Sequence, residues 1–128
     1  IRPDDPERQK ELFFRYERIH SDRDRAYFER VVDGVQAHRD DIDAIIERYL
    51  RGWTLERQLI IDLSILRLAV YEMLFDDEVP SDIAISEAVV LANAYGTDDS
   101  RAFINAVLGN IARHEPRRID ADDEKAGS

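Results

Sequence analysis

The sequence predicts an all-α protein, and three observations support this fold class. Apolar residues recur at intervals of three and four along nearly the whole chain, as they do on one face of a helix. No stretch shows the sustained alternation of apolar and polar residues that is typical of a half-buried strand. Signals for helix starts and ends punctuate the apolar runs. We expect a compact bundle of about six helices as one domain over residues 1–114, with a polar, disordered tail over residues 115–128.

Two helices are predicted before residue 38. The first begins at Asp5, with proline at its first helical position, and ends near His20. The second begins at Ser21 or Asp22 and contains Gly34, a residue that weakens a helix. The apolar stripe of the first helix comprises Leu12, Phe13, Tyr16 and Ile19, and that of the second comprises Tyr27, Phe28, Val31, Val32 and Val35.

The third and fourth helices differ in the distribution of their apolar residues. Asp40 or Asp41 begins the third helix, and Gly52 follows its end. Its inward residues are Ile42, Ile45, Ile46, Tyr49 and Leu50. The fourth helix is predicted over residues 55–75, with Thr54 as its N-cap. This helix is apolar on every side, which is typical of a helix at the centre of a domain.

The last two helices follow the polar run DDEVPSD, residues 76–82. The fifth helix carries Ile85, Ala88, Val89 and Ala92 on one face and stops at Gly96. Thr97 or Asp98 caps the sixth helix, where Asp99 would interact favourably with the helix dipole. Its core residues are Phe103, Ile104, Val107, Leu108 and Ile111.

Composition excludes several classes of function. The chain has no cysteine, and its three histidines are scattered, so it offers no evident ligand set for a metal. No Ser, His and Asp arrangement and no glycine-rich phosphate loop is present, and the paired acids at 76–77 and 98–99 fit turns and helix caps. We therefore expect neither an enzyme nor a cofactor. No apolar run is long enough to span a membrane, so a cytoplasmic location is expected.

The charge of the chain points to a basic partner. Its net charge is −10, and residues 31–128 hold 10 basic and 20 acidic residues. An acidic body repels phosphate, so tight nucleic-acid binding by this chain alone is disfavoured. A basic protein would suit this surface better.

Several single features have two interpretations. Glu17 and His20 match the Glu-x-x-His spacing of di-iron bundles, but no second copy is evident, so a solvated helix surface is favoured. Trp53 is predicted to be a lid on the core rather than a stacking platform. The arginines at 15, 18, 23, 25 and 30 favour a solvated face over an RNA patch. Asp62 lies within the apolar fourth helix, and it needs either an arginine partner or an exposed edge.

Two long stretches carry a resemblance to a known family. They are RGWTLERQLIIDLSILRLAVYEML, residues 51–74, and VPSDIAISEAVVLANAYGTDDSRAFINAVLGNI, residues 79–111. In this order they resemble the NusB family of transcription antitermination factors, with a match from about Tyr27 to Ile111. The resemblance implies an all-helical protein without catalysis. It also implies binding to NusE, a small-subunit ribosomal protein, with which it holds boxA RNA on transcribing polymerase.

The resemblance also implies residue roles. Glu56 and Asp62 match acidic positions that face NusE in the family, which gives Asp62 an exposed-edge explanation. Phe103 and Asn105 fall in a segment near the RNA-facing end of the family fold, although alanine replaces a family glycine at position 106. Arg101 is a neighbour of Asn105 on the same helix surface, because residues four apart share a helix face. Asn105 bonded to backbone inside the fold is the alternative.

One departure from the family bears on RNA binding. NusB-like proteins usually begin with an arginine-rich helix, and nothing in residues 1–26 matches it. We expect either a truncated N-terminus or weak RNA binding alone, strengthened by NusE. Two alternatives are a detached RNA-positioning domain of a ribosomal-RNA cytosine methyltransferase and a protein-only adaptor that has lost RNA binding. The sequence also leaves open a homodimer.

Overall fold

The computed structural model describes residues 22–118. They form five α-helices, α1 (Asp22–Ala37), α2 (Arg39–Arg48), α3 (Ile60–Leu74), α4 (Ser81–Tyr95) and α5 (Ser100–His114), with a 3-10 turn (Leu55–Arg57) before α3. No strand occurs within this range, and the predicted all-α class is confirmed. The predicted helix from Asp5 to His20 and the Glu17 and His20 pair lie outside the described residues, as does the tail beyond residue 118.

Helix α3 lies at the centre, as its all-round apolar sequence predicts. It packs against each of the four other described helices. The side chains of Leu66, Val70 and Met73 have no exposed surface, because neighbours surround this part of the helix. The predicted start at residue 55 is wrong. Gln58 and Leu59 are extended, with ψ of 150° and 139°, so the chain changes direction between the 3-10 turn and α3.

The flanking helices bury one face each. In α2, Ile42, Ile45 and Ile46 are fully buried, as predicted. In α1, Val31 is buried but Val32 is 38% exposed, so the predicted stripe is too wide. Gly34 lies where α1 meets α3, and a Cβ at this position would overlap the Tyr71 ring. The close approach of these two helices therefore requires a glycine.

The chain leaves α2 earlier than predicted. The helix ends at Arg48, four residues before Gly52. Arg51 and Gly52 then adopt left-handed conformations, with φ of 53° and 91°. Gly52 therefore serves a turn after the helix rather than the helix end itself, because glycine adopts positive φ without steric cost.

The α4–α5 junction depends on a close contact between Gly96 and Ser100. Gly96 has an ordinary φ of −89°, but a Cβ there would lie 2.5 Å from the Ser100 side chain. Ser100 is buried, and its hydroxyl oxygen accepts the Thr97 N–H at 2.9 Å. Helix α5 begins at Ser100 with Asp99 as its N-cap residue, so the predicted caps at Thr97 or Asp98 are wrong. The Ser100 hydroxyl therefore stabilises this turn, a role that was predicted for Thr97 or Asp98.

The α3–α4 turn is held by Asp76, which is buried. Its Oδ1 accepts the Glu78 N–H at 2.9 Å, and its Oδ2 lies 3.4 Å from Arg30. Arg30 also binds Glu78 at 2.8 Å, and this hydrogen bond is the main cause of the raised pKa of Arg30. Arg117 donates to the Asp76 carbonyl. The structural role predicted for this acid is confirmed, and Arg30 is part of an ion-paired surface.

Candidate functional site

One candidate surface lies where the chain enters α3. Glu56, in the 3-10 turn, is exposed. Leu59 is 49% exposed and Ile60 is 77% exposed, although both belong to the most apolar segment of the chain. Asp62 follows in the first turn of α3. We call the three exposed residues, Glu56, Leu59 and Ile60, the α3 N-terminal surface; Asp62, two positions after Ile60, lies on the opposite, buried side of the helix.

The structure contradicts one of the two predictions for Asp62. Only 6% of the residue is exposed, so the exposed-edge explanation is wrong. It shares a helix face with Ile65 and Leu66, three and four positions later, and both of these are buried. Its Oδ1 is buried without a hydrogen-bond partner, and within residues 22–118 no arginine pairs with it. A buried acceptor that finds no donor costs about 1–3 kcal/mol.

A second candidate surface lies on α5. Arg101 and Asn105 are exposed and four residues apart, so they share a helix face. In the part of the chain that the structure describes, no hydrogen bond holds the Asn105 side chain. The alternative in which Asn105 bonds inside the fold is therefore not observed among these residues.

Phe103 does not join Arg101 and Asn105. Each helical residue is rotated by about 100° from the one before, so a residue midway between the other two points away from them. Phe103 is half-buried and packs against the core. Its packing against the core agrees with its prediction as a core residue, and Arg101 and Asn105 form the accessible part of this surface. Within the described residues, no hydrogen bond or ion pair links Arg101 or Asn105 to Glu56 or Asp62.

The loop between α2 and α3 presents a further accessible group. Trp53 is 59% exposed, so the prediction of a lid on the core is wrong. The left-handed turn at Arg51 and Gly52 immediately precedes it and turns the chain away from α2. Trp53 lines a shallow cavity of about 460 Å³ together with Arg51, Gly52, Thr54 and Arg57.

Helices α1, α3 and α4 border a larger, mostly apolar groove of about 1020 Å³. Val32, Ile83 and Tyr95 are exposed along it. At its rim, Arg67 donates two hydrogen bonds to Asp43, at 2.7 and 2.9 Å. The sequence did not predict this groove, because apolar residues at helical spacing are assigned to the core by default.

The sequence also missed Leu59, Ile60 and Trp53 as surface residues. Their apolar character fits a buried position equally well, and no pattern distinguishes the first turn of a central helix from its middle. Over residues 22–118, no group of three or more His, Cys, Asp or Glu residues is placed to hold a metal. No helix in the same range is both long enough and apolar enough to span a bilayer.

Comparisons with known proteins identify one family. A sequence profile described as the NusB family matches residues 2–113, which begins upstream of Tyr27. The chain is 47% identical over 96 residues to the transcription antitermination protein NusB of Leifsonia xyli, covering 75% of this chain and 67% of that protein. It is 50% identical over 98 residues to the protein of the same name from Clostridium tetani, covering 76% of this chain and 64% of that protein.

The fold gives the same result. The structure is similar to a solved structure of T. maritima NusB, with a TM-score of 0.74 and 33% sequence identity. The similar region covers 83% of this chain and 74% of that one. The matches to the two bacterial relatives span about two thirds of the length of those proteins.

Proposed function

This chain belongs to the NusB family, and from that premise we propose that it acts in transcription antitermination by binding a NusE-type ribosomal protein and, with it, boxA-type RNA. The proposal contains no catalytic step. The partner and the RNA are argued separately, because different residues support them.

The α3 N-terminal surface is the observation that supports a basic protein partner. Exposed Leu59 and Ile60 provide apolar contact area, which the centres of protein interfaces require. Exposed Glu56 lies beside them in a chain of net charge −10, so a basic surface would be attracted. Asp62 is not part of this surface, because it lies on the buried side of the first turn of α3.

Charge reversal at Glu56 tests the partner. Because Glu56 is exposed, Glu56→Lys should leave folding unchanged and add repulsion to a basic partner. We expect NusE affinity, measured by titration calorimetry, to fall at least tenfold, equivalent to about 1.4 kcal/mol.

Glu29→Lys is the matched control, since it makes the same change in net charge at an exposed site on α1. Its NusE affinity should stay within about twofold of the unmodified chain. If both variants lose the same NusE affinity, the change in net charge alone explains the effect of Glu56→Lys. Unchanged affinity in Glu56→Lys would remove this residue from the interface.

Arg101 and Asn105 support the RNA part of the proposal. Arginine binds phosphate or base edges, and the asparagine amide offers both donors and an acceptor. Both side chains are exposed on one face of α5. Because the chain is acidic, we expect weak binding to boxA-type RNA alone and stronger, salt-dependent binding with NusE.

Asn105→Ala tests the RNA surface. We expect RNA affinity of the NusE complex to fall about fivefold, the loss of one hydrogen bond, with unchanged melting temperature and NusE affinity. Asn110→Ala is the control on the same helix, where Asn110 accepts a hydrogen bond from Arg113. A lower melting temperature with unchanged RNA affinity per folded molecule would exclude Asn105 from the site. A complex that binds no RNA would favour the protein-only adaptor.

A further inference from the structure

We propose that the loop between α2 and α3 is a separate contact for single-stranded RNA, in which Trp53 stacks on a base and Arg51 and Arg57 bind phosphates. The proposal rests on the proposed function, because it takes RNA as the ligand. It adds a site that lies on a different element from Arg101 and Asn105. The three side chains line one shallow cavity, and Trp53 is more than half exposed.

Hydrogen bonds hold the backbone on both sides of Trp53. The Trp53 N–H donates to the Leu50 carbonyl at 3.2 Å, and the Arg57 N–H donates to the Thr54 carbonyl at 3.2 Å. The Gln58 side chain donates to the same Thr54 carbonyl at 3.1 Å. A ligand that stacks on Trp53 therefore orders little additional backbone, and this lowers the entropic cost of binding.

The charges of the loop favour RNA over a protein partner. In the described part of the chain, Arg51 and Arg57 form no ion pair, whereas Arg48 and Arg67 are held by Glu115 and Asp43. Two unneutralised guanidinium groups would repel the basic partner proposed for the neighbouring surface. They would attract phosphates, and arginine and aromatic side chains together are typical of sites that bind single strands.

The loop also adjoins the α3 N-terminal surface. Glu56 and Arg57 are consecutive residues of the 3-10 turn, and successive residues in such a turn point about 120° apart. The carboxylate and the guanidinium group therefore face different directions. RNA bound at Trp53 would therefore lie next to a partner bound at Glu56. This arrangement agrees with the expectation that RNA binds more strongly when the partner is present.

The single tryptophan of the chain makes the proposal directly measurable. Trp53 is the only tryptophan, so with a tryptophan-free NusE the fluorescence reports on this loop alone. Titration of the full chain and NusE with boxA-type RNA should quench the fluorescence with the same midpoint as a gel-shift titration. Trp53→Ala should weaken RNA binding about fivefold or more, the range for loss of one stacked base.

Three variants complete the test. Trp53→Phe retains a stacking face and should keep most of the RNA affinity. Arg51→Gln and Arg57→Gln should each reduce the slope of log affinity against log salt concentration by about one. Tyr95→Ala removes another exposed aromatic residue, on α4, and should leave RNA affinity unchanged.

The possible outcomes separate this proposal from the proposed function. Bound RNA without quenching, and with full affinity in Trp53→Ala, would overturn the loop site while the antitermination role stands. Quenching by NusE alone, with no further change on adding RNA, would make the loop a protein contact and overturn the proposal. If the complex binds no RNA in the gel shift, the RNA part of the proposed function fails, and the loop site fails with it.

Discussion

The two ends of α3 have similar composition and opposite surroundings. At its C-terminal end, Val70 and Met73 have no exposed surface. At its N-terminal end, Leu59 and Ile60 are about half and three-quarters exposed, and the buried Asp62 has an oxygen without a partner among residues 22–118. A buried carboxylate that finds no donor opposes folding, whereas the exposed apolar side chains contribute little to stability. Under the proposed function, the N-terminal end of the helix serves binding and the buried remainder serves stability.

Substitution in the buried middle of α3 and at its N-terminal end gives the largest expected contrast. Leu66→Ala should lower the free energy of unfolding by about 2–5 kcal/mol, because it removes buried methyl groups and leaves a cavity. Ile60→Ala should change it by less than about 0.5 kcal/mol, since the site is exposed. Denaturant unfolding measures both values.

In the NusE binding assay, Ile60→Ala should have a larger effect than Leu66→Ala, the reverse of their order in stability. Ile60→Ala removes apolar contact area from the proposed interface and should weaken NusE binding, while Leu66→Ala should leave the affinity of the folded fraction unchanged. Equal stability losses in the two variants would mean that Ile60 is buried in the folded protein. The contrast between the ends of α3 would then be wrong.

Asp62→Ala sharpens the comparison within the N-terminal end. Removing a buried carboxylate with an oxygen that finds no donor within residues 22–118 should raise the free energy of unfolding by about 1 kcal/mol, after the loss of a favourable interaction with the helix dipole. NusE binding should not change in the same variant, because Asp62 lies on the buried side of the helix. A destabilised variant would instead show that Asp62 pairs with a residue outside the described range, as the arginine-pair interpretation holds.

The smallest expected effect lies away from both ends of α3, at Tyr49 and Glu115. The Tyr49 hydroxyl donates to Glu115 at 2.5 Å, and this bond, assisted by Arg48, lowers the pKa of Glu115. Because the folded pKa is depressed, the contribution to stability is present above the unfolded value of about 4.5 and is lost as pH falls through the folded pKa.

Tyr49→Phe should therefore be less stable than the unmodified chain at pH 7. The difference in free energy of unfolding, followed by thermal melts from pH 7 to pH 3, should shrink once the pH falls below about 4.5. NusE binding should not change, since the contact uses no residue of the α3 N-terminal surface. If the difference in free energy of unfolding is instead independent of pH, the hydroxyl stabilises the fold by supporting the packing of the ring and not through its hydrogen bond to the Glu115 carboxylate.

Much of the fold was predictable because it depends on periodicity. The stripe of α2 and the central place of α3 follow from the spacing of apolar residues alone. The start of α3 was not predictable, because Leu55, Leu59 and Ile60 fit a longer helix equally well. Gly96 was correctly placed at a helix end, but its reason is the space needed by Ser100, which depends on tertiary contact.

The candidate site was less predictable than the fold. Charge and family resemblance pointed to Glu56 and Asp62, yet the burial of Asp62 depends on which face of α3 the bundle covers. Trp53 was assigned to the core because its type favours burial, whereas the left-handed turn before it turns the chain outward. Sequence patterns specify which residues share a face, and the packing of neighbouring helices determines which face is covered.

Amide hydrogen exchange of the chain with and without NusE tests the central claim most directly. The account predicts slower exchange on NusE binding in peptides that cover residues 54–63, the 3-10 turn and the first turn of α3. Peptides from residues 64–74 should not change, because the bundle already protects them. Unchanged exchange over residues 54–63, with new protection along the α1, α3 and α4 groove, would contradict the assignment of the α3 N-terminal surface as the partner site.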